Sequence, residues 1–224
     1  MKTTADLHIP RQNSSLRQQV TDRLRDAVLS GMFEPGMKLV ERDLCEMLGI
    51  SRTVLREALQ HLGAEGLITN VPHKGPMVAT ITAQEARDIY AVRGALEALA
   101  GEGFAQHATD EQVAELRAAL NRLHQINAGE SSQAVLEAKN DFYSILLGGC
   151  GNSVVGSMLT LLNNRVTMLR RMSLSTSGRL QETLRELDEI VMAIEQRDSD
   201  RARDLSAAHV ARASVVALKT LDHA

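Results

Sequence analysis

The stretch GISRTVLREALQHLGAEGLI, residues 49–68, places two arginines four positions apart at the start of a predicted helix. On a helical wheel of about 3.6 residues per turn, its side chains separate into two faces. The apolar face consists of Val54, Leu55, Ala58, Leu59 and Leu62. The polar face consists of Arg52, Thr53, Arg56 and Gln60, with Ser51 in the N-cap position. The helix is therefore expected to pack by its apolar face and to expose its arginines.

The sequence on either side of this helix predicts a small mixed unit. Apolar residues at helical spacing run from Leu16 to Gly31, and a short helix follows over Glu41–Leu48 and ends at Gly49. After the quoted helix, the β-rich runs GLITNV and MVATI flank the turn PHKGP, which predicts a hairpin of two short strands. Three helices followed by a hairpin indicate a winged helix-turn-helix.

The polar face of the quoted helix has the side chains that read a DNA major groove. An arginine can donate two hydrogen bonds to guanine, and Ser or Thr can bind phosphate oxygens near a helix N-terminus. An arginine of the short helix could reach the DNA backbone, and a glycine-containing hairpin tip could enter the minor groove. The predicted DNA contacts are Arg42, Ser51, Arg52, Thr53, Arg56, His73, Lys74 and Gly75. For the helix alone, a solvated amphipathic helix is an equally good interpretation; the whole unit favours DNA binding.

The rest of the chain predicts an all-helical bundle, so the fold class is mainly α. From Thr82 onward strand signals are almost absent, and Thr82 with Glu85 and Thr109 with Gln112 fit capping boxes. Six helices are expected near residues 83–107, 110–128, 132–148, 153–173, 180–197 and 199–221. The predicted organisation is a loose arm over 1–14, the winged helix-turn-helix over 15–81 and the bundle over 82–224.

The composition indicates a globular protein whose first part is the more basic. Hydrophobic residues make up 44% of the chain, charged residues 24% and aromatic residues 2%. Residues 1–80 contain 10 Lys and Arg against 9 Asp and Glu, and the remainder contains 15 against 19, which together give the net charge of −3. No run of about 18 apolar residues exists, and Cys45 and Cys150 lie far apart in apolar patterns. We expect a cytoplasmic protein with free thiols and no membrane span.

The motif ERDLCEMLGISRTVLREALQHLGAEGLI, followed by PHKGPMV, resembles the DNA-binding domain of the GntR family of bacterial transcription regulators over residues 16–80. The helical remainder, 82–220, is similar to the ligand-sensing FCD domain of the FadR-like branch of that family. The resemblance implies a homodimer that binds a pseudo-palindromic operator in double-stranded DNA. It also implies a response to a small metabolite, more commonly as a repressor that releases DNA. Matching DNA contacts are Arg42, Ser51, Arg52, Thr53, Arg56 and Gly75, whereas Val54 stands where some relatives have a polar contact.

Five polar residues interrupt the apolar stripes of the predicted bundle. They are Arg93, Lys139, Tyr143, Arg165 and His209, and Arg165 shares its stripe with Met158, Leu161, Leu169 and Met172. Because such groups are costly to bury unpaired, together they predict one polar cavity. Each also has a plainer interpretation. Arg93 could pair with Glu97 one turn on, Lys139 could extend outward along its apolar stem, and Tyr143 and His209 could be ordinary core residues.

Many FCD domains hold a divalent metal through an Asp and a His on one helix and two His on the last two helices. The resemblance places these positions at Lys139, Tyr143, Leu187 and His209, of which only His209 is a usual metal ligand. We therefore expect no metal and no cofactor. Instead we predict a small organic anion bound by Arg93, Lys139 and Arg165, with hydrogen bonds from Tyr143 and His209. The alternative is a metal-dependent ligand site, because a shift of one helical turn in the alignment would place another residue at the metal position assigned here to Leu187.

Two other classes of function compete with a metabolite-responsive regulator. An enzyme fused to a DNA-binding domain could use a cavity with Lys, Tyr and His for proton transfer. However, the predicted interior contains no acid or nucleophile that pairs with a base. A purely architectural DNA-binding protein would not need a polar-lined bundle. The sequence therefore predicts a regulator and not an enzyme.

Overall fold

The structure is a computed structural model that describes residues 16–126, 132–174 and 178–222. The predicted arm over 1–14 lies outside these residues. The chain divides after Ala79 into two compact units, which we call the N-terminal unit and the helical unit. No helix among the described residues combines the length and the apolarity that a membrane span requires.

The N-terminal unit has the predicted order of three helices and a hairpin. Its elements are α1 (Leu16–Ser30), α2 (Glu41–Leu48), α3 (Arg52–Ala64), β1 (Ile68–Val71) and β2 (Gly75–Val78). Gly49 ends α2 in a left-handed conformation at φ +65°, and the Ser51 hydroxyl accepts a hydrogen bond from the Val54 N–H at 3.5 Å. These two caps turn the chain from α2 into α3. The strands pair antiparallel, with Ile68 opposite Val78, and β2 begins two residues before the predicted run MVATI.

The burial of α3 confirms the two faces of the quoted helix. Leu55, Ala58 and Leu62 are fully buried, whereas Val54 at the edge of the apolar face is only half-buried. The other buried apolar residues of this unit include Val20, Leu24, Val28, Phe33, Leu39, Leu44, Leu59, Leu67, Ile68 and Val78. Removal of these side chains from water fixes which face of α3 points outward.

The helical unit contains six helices within its described residues, each close to its predicted bounds. They are α4 (Ala83–His107), α5 (Asp110–Gln125), α6 (Ser132–Gly149), α7 (Ser153–Leu174), α8 (Arg179–Glu195) and α9 (Ser199–Asp222). Both predicted capping boxes form. The Thr82 hydroxyl accepts a hydrogen bond from the Glu85 N–H while the Glu85 carboxylate accepts one from the Thr82 N–H, and Thr109 and Gln112 repeat this arrangement.

The interior of the helical unit has two apolar clusters with polar groups where they meet. The larger cluster includes Phe104 and Tyr143, and the smaller includes Tyr90 and Leu169. The guanidinium carbon of Arg93 lies 5.6 Å from the ring centroid of Tyr90 and 5.9 Å from that of Tyr143. Arg93 thus contacts an aromatic ring of each cluster. Helix α4, which bears Arg93, packs against α6, α7, α8 and α9.

The predicted inner face of α7 holds only in part. Met158 and Leu161, on the expected stripe with Arg165, are 48% and 76% exposed, whereas Leu169 of the same stripe is fully buried. The other buried residues of α7 are Val155, Leu159, Val166, Thr167, Met168 and Arg170. Because residues 166–170 are consecutive and together cover every side of the helix, neighbouring elements enclose this part of α7, and helical spacing alone does not select its buried residues.

Candidate functional site

The polar face of α3 is accessible. Ser51, Arg52 and Thr53 are exposed at the start of the helix, and the side chain of Arg56 is 66% exposed. The side chain of Arg42 in α2 is 73% exposed. The positions predicted to contact DNA from α2 and α3 are therefore available to a partner.

The side chain of Arg56 forms an ion pair with a carboxylate from another helix. Its Nε lies 2.9 and 3.0 Å from the two carboxylate oxygens of Glu41, the first residue of α2. The pair joins the first turn of α2 to the second turn of α3. Arg42, by contrast, pairs at 3.1 Å with Asp43, the next residue in the chain.

The hairpin tip has a backbone that brings a short basic segment to the surface. His73 and Gly75 have φ values of +64° and +85°, and the Lys74 N–H donates to the Val71 carbonyl at 3.0 Å. His73 and Lys74 are exposed. Glycine adopts such a φ without strain, so Gly75 permits the tight return into β2.

The helical unit buries an unusual set of charged side chains, which we call the charged cluster. Its members are Arg93, Glu97, Lys139, Tyr143, Arg170, Arg179, Glu186 and His209, all less than 9% exposed. The cluster includes four cationic side chains and two carboxylates. Four of the five predicted ligand-binding residues belong to it; the fifth, Arg165, does not.

One line of hydrogen bonds crosses the cluster through His209. The Arg93 guanidinium donates to the Tyr143 hydroxyl at 3.4 Å, and Tyr143 lies 2.9 Å from His209 Nε2. His209 Nδ1 lies 2.6 Å from Glu186 Oε2, and Arg179 donates two bonds of 2.8 Å to the same carboxylate. The Tyr143 hydroxyl and both ring nitrogens of His209 are satisfied when Tyr143 donates to Nε2 and the Nδ1–H donates to Glu186.

Burial and hydrogen bonding determine the protonation states of His209, Glu186 and Tyr143. It lowers the pKa of His209 to about 4, so the imidazole is neutral at pH 7. Burial alone would raise the pKa of Glu186, but the hydrogen bonds from His209 and Arg179 lower it to about 2. Burial, reinforced by the charge of Glu97, raises the pKa of Tyr143 to about 12.

A second set of contacts surrounds Glu97. Its carboxylate accepts from Arg93 Nε at 2.5 Å and lies 3.6 Å from Arg170 Nη2. Arg170 also donates to Asn140 Oδ1 at 3.1 Å, and its guanidinium lies 4.0 Å from the ring centroid of Tyr143. The alternative that Arg93 pairs with Glu97 is therefore correct, and it holds together with the contact to Tyr143.

The charged cluster has more positive than negative charge. Burial and the charges of Arg170 and Arg93 hold the pKa of Lys139 well below its usual range. Among the buried groups, even with Lys139 neutral, three arginines accompany two carboxylates; the exposed Glu182 adds a third carboxylate, which lies 3.3 Å from Arg179. Arg93 Nη1 is buried and has no hydrogen-bond partner within the described part of the chain. A buried cationic donor without a partner is costly, and an anion would lower that cost.

A cleft of about 850 Å³ opens between α6 and α7 and reaches one side of the cluster. Its polar lining includes Glu97, Asn140, Asp141, Tyr143 and Arg170. Farther along, the lining includes Ser144, Leu147, Ser157, Leu159 and Thr160. Of the five predicted ligand-binding residues only Tyr143 lines the cleft, while Arg93, Lys139 and His209 lie in the cluster beside it.

The structure corrects two sequence-based expectations about this site. Arg165 is half-buried, and its charge acts on Glu85, whose pKa is lowered mainly by hydrogen bonds with Thr82, so it lies near the start of α4. The expectation that Arg165 faces the same interior as the other four residues is therefore wrong, and Arg170 lies in the cluster instead. The expectation of an interior without an acid paired to a base is also wrong, because Glu186 pairs with His209. The signal in the sequence that could have identified Arg170 and Glu186 as cluster residues is their angular position on α7 and α8 relative to the buried face.

The donor set around His209 does not fit a divalent metal ion. Both ring nitrogens of His209 already have partners, and the surroundings are rich in cations. On α8 the resemblance assigns a metal-ligand position to Leu187. Leu187 lies in the apolar core, and the neighbouring Glu186 is the residue that contacts His209. Within the described residues, no group of three or more His, Cys, Asp or Glu side chains is placed to hold a metal. The absence of a metal stays a prediction.

Comparisons with known proteins agree with this architecture. Residues 16–78 match the bacterial regulatory proteins of the gntR family, and residues 88–212 match the FCD domain. The chain is 25% identical to the transcriptional regulator YdhC of Bacillus subtilis, over 85% of this chain and 86% of that protein. It is 29% identical to the transcriptional repressor GlaR of Escherichia coli, over 84% and 89%.

A solved structure has a similar fold. A putative GntR transcriptional regulator from Rhodococcus superposes with a TM-score of 0.77 at 24% identity, over 91% of this chain and 97% of that one. The matched residues include the exposed face of α3 and the charged cluster of the helical unit. The chain therefore belongs to the gntR family of bacterial regulatory proteins and combines its DNA-binding domain with an FCD domain, as a DNA-binding transcriptional regulator does.

Proposed function

We propose that this regulator is a repressor that leaves its operator when a small organic anion binds in the cleft of the helical unit. The excess of buried positive charge in the charged cluster is the observation that supports this most. A carboxylate placed against Arg170 would gain charge-assisted hydrogen bonds where water is largely excluded. Its negative charge would also act on the buried guanidinium of Arg93, which lies beside the cleft and does not line it.

The anion binds without a transition metal in this proposal. In many FCD domains a metal supplies the positive charge of the ligand site; here Arg93, Lys139 and Arg170 supply it. Tyr143 lines the cleft and supplies a hydroxyl group to the same ligand. Three residues predicted to bind the anion, Arg93, Lys139 and His209, do not line the cleft and act on the ligand from behind its wall, through their charge and hydrogen bonds.

The active form is a homodimer on a pseudo-palindromic operator. One helix-turn-helix buries too little surface for tight specific binding, and a second copy doubles it. The helical unit exposes large apolar side chains that suit a contact between copies, among them Val92, Leu99, Val154, Met158 and Leu161. Sedimentation equilibrium at micromolar concentration measures this directly. Monomer alone, with and without operator DNA, would contradict the proposal.

The repressor assignment takes support from the relative GlaR, which is named a repressor. An enzyme is the alternative from another class, since Tyr143, His209 and Glu186 lie in a line like a nucleophile, a base and an orienting acid. The low pKa of His209, about 4, opposes that role because so weak a base takes up the hydroxyl proton poorly. The cluster serves binding better than covalent chemistry.

The proposal is tested by thermal melting with a panel of small carboxylates, followed by operator binding with each one that acts. A carboxylate that binds the folded protein raises the melting temperature by mass action. The same compound should weaken operator binding, and the protein should leave it chemically unchanged. A compound that the protein consumes would indicate the enzyme alternative.

A further inference from the structure

Glu41 is an acidic residue at a surface expected to meet DNA. A carboxylate near phosphates repels them, so its presence among the predicted contacts Arg42, Arg52 and Arg56 lowers affinity for any duplex. Glu41 is nevertheless held in place: it is the first residue of α2, its side chain is only 26% exposed, and both its oxygens face Arg56.

The geometry of the pair leaves one edge of the arginine open. Within the described residues, the hydrogen bonds of Arg56 to Glu41 use Nε alone. Because the guanidinium is planar, a fixed Nε fixes the direction of Nη1 and Nη2 as well. Two parallel N–H donors are what a guanine O6 and N7 accept in the major groove.

We propose that Glu41 is a positioning residue that orients Arg56 to read a guanine and so raises the sequence specificity of the regulator. This rests on the prediction that Arg56 contacts DNA. The carboxylate lowers affinity for DNA in general and increases the preference for the operator. A long side chain that is already in its bound orientation loses less conformational entropy when it binds DNA. For one side chain this difference corresponds to roughly 2- to 12-fold in a binding constant.

Charge and positioning predict opposite results when the carboxylate is removed. If Glu41 acts only by its charge, Glu41→Ala tightens binding to every duplex. If it orients Arg56, the same variant loses preference for the operator while its binding to unrelated DNA stays equal or improves. The ratio of the two dissociation constants separates these cases.

The experiment uses the full chain and two duplexes of equal length. One is the duplex that the wild-type protein selects from a randomised pool, and the other is a scrambled duplex of the same composition. In fluorescence anisotropy at fixed salt, Glu41→Ala should lower the ratio of affinities roughly 2- to 12-fold. Glu41→Gln keeps an oxygen that can accept from Nε and should restore most of the ratio. Glu46→Ala, an exposed acid of the same helix, is the matched control and should leave it unchanged.

A variant series shows whether Glu41 acts through Arg56. In the Arg56→Ala background, Glu41→Ala should have no further effect on the ratio. Glu41→Asp keeps the charge at the start of α2 but withdraws the carboxylate, so it should lower the ratio even where Glu41→Ala folds poorly. An unchanged or higher ratio in Glu41→Ala and Glu41→Asp, or an equal fall in the Arg56→Ala background, overturns the inference. An unchanged ratio in Arg56→Ala alone shows instead that the predicted DNA contact is wrong.

Discussion

Mild acid should destabilise the helical unit through His209. The folded pKa of His209 is about 4 against an ordinary value of 6.5, because burial disfavours the imidazolium. Between these two values the unfolded chain binds the proton more strongly than the folded chain does. Stability is therefore lost as the pH falls through this window. At pH 5 the loss relative to pH 8 amounts to about 2 kcal/mol. Glu186 adds its own loss only at lower pH, as its pKa falls from 4.5 to about 2 on folding.

The assay can report on the helical unit alone. The chain has no tryptophan and two tyrosines, Tyr90 and Tyr143, both in the helical unit, so tyrosine fluorescence during urea unfolding follows that unit. The difference in unfolding free energy between pH 8 and pH 5 should shrink by most of that amount in His209→Gln, which does not titrate. His107→Gln, at an exposed position, is the control and should behave as the wild type does. An equal pH dependence in His209→Gln and the wild type would show that His209 does not cause the loss of stability.

Three further predictions concern single side chains. Arg52→Ala should cost about 1–3 kcal/mol of operator affinity without a change in melting temperature, and a well-folded variant with full affinity would contradict a base contact. Lys139→Met removes a buried amine whose pKa is lowered by burial and by nearby arginines, so it should raise the stability of the free protein, as measured by urea unfolding; a loss of stability would contradict this. Arg170→Met should remove the rise in melting temperature with a carboxylate, whereas Arg165→Met should keep it; the reverse order would restore the original prediction for Arg165.

Local features of the sequence predict most of the fold. The capping boxes at Thr82 and Thr109 and the αL glycine at Gly49 determine where helices start and end, and all of these contacts form between residues a few positions apart. The apolar face of α3 is also visible in the sequence because only one stripe of that helix is apolar. Such features depend little on the rest of the molecule.

The candidate ligand site could be predicted only in part, because it depends on which face of each helix is buried. Arg93, Tyr143 and His209 lie on predicted stripes that the structure buries. On α7 the burial of the consecutive residues 166–170 brings Arg170 into the interior and leaves Arg165 half-buried. On α8 a shift of one residue, about 100° of rotation, exchanges Leu187 for Glu186. Packing against neighbouring helices decides both cases.

The most direct test of metal-free anion sensing is operator release in the presence of a chelator. The labelled duplex selected by the wild-type protein is bound to protein dialysed against EDTA, and small carboxylates are added while anisotropy is followed. We expect a carboxylate to weaken operator binding of the wild type about tenfold or more, at 1.4 kcal/mol per tenfold, and to have no effect on Arg170→Met. Release that requires added zinc, manganese or nickel, or an Arg170→Met variant that responds as the wild type does, would contradict it.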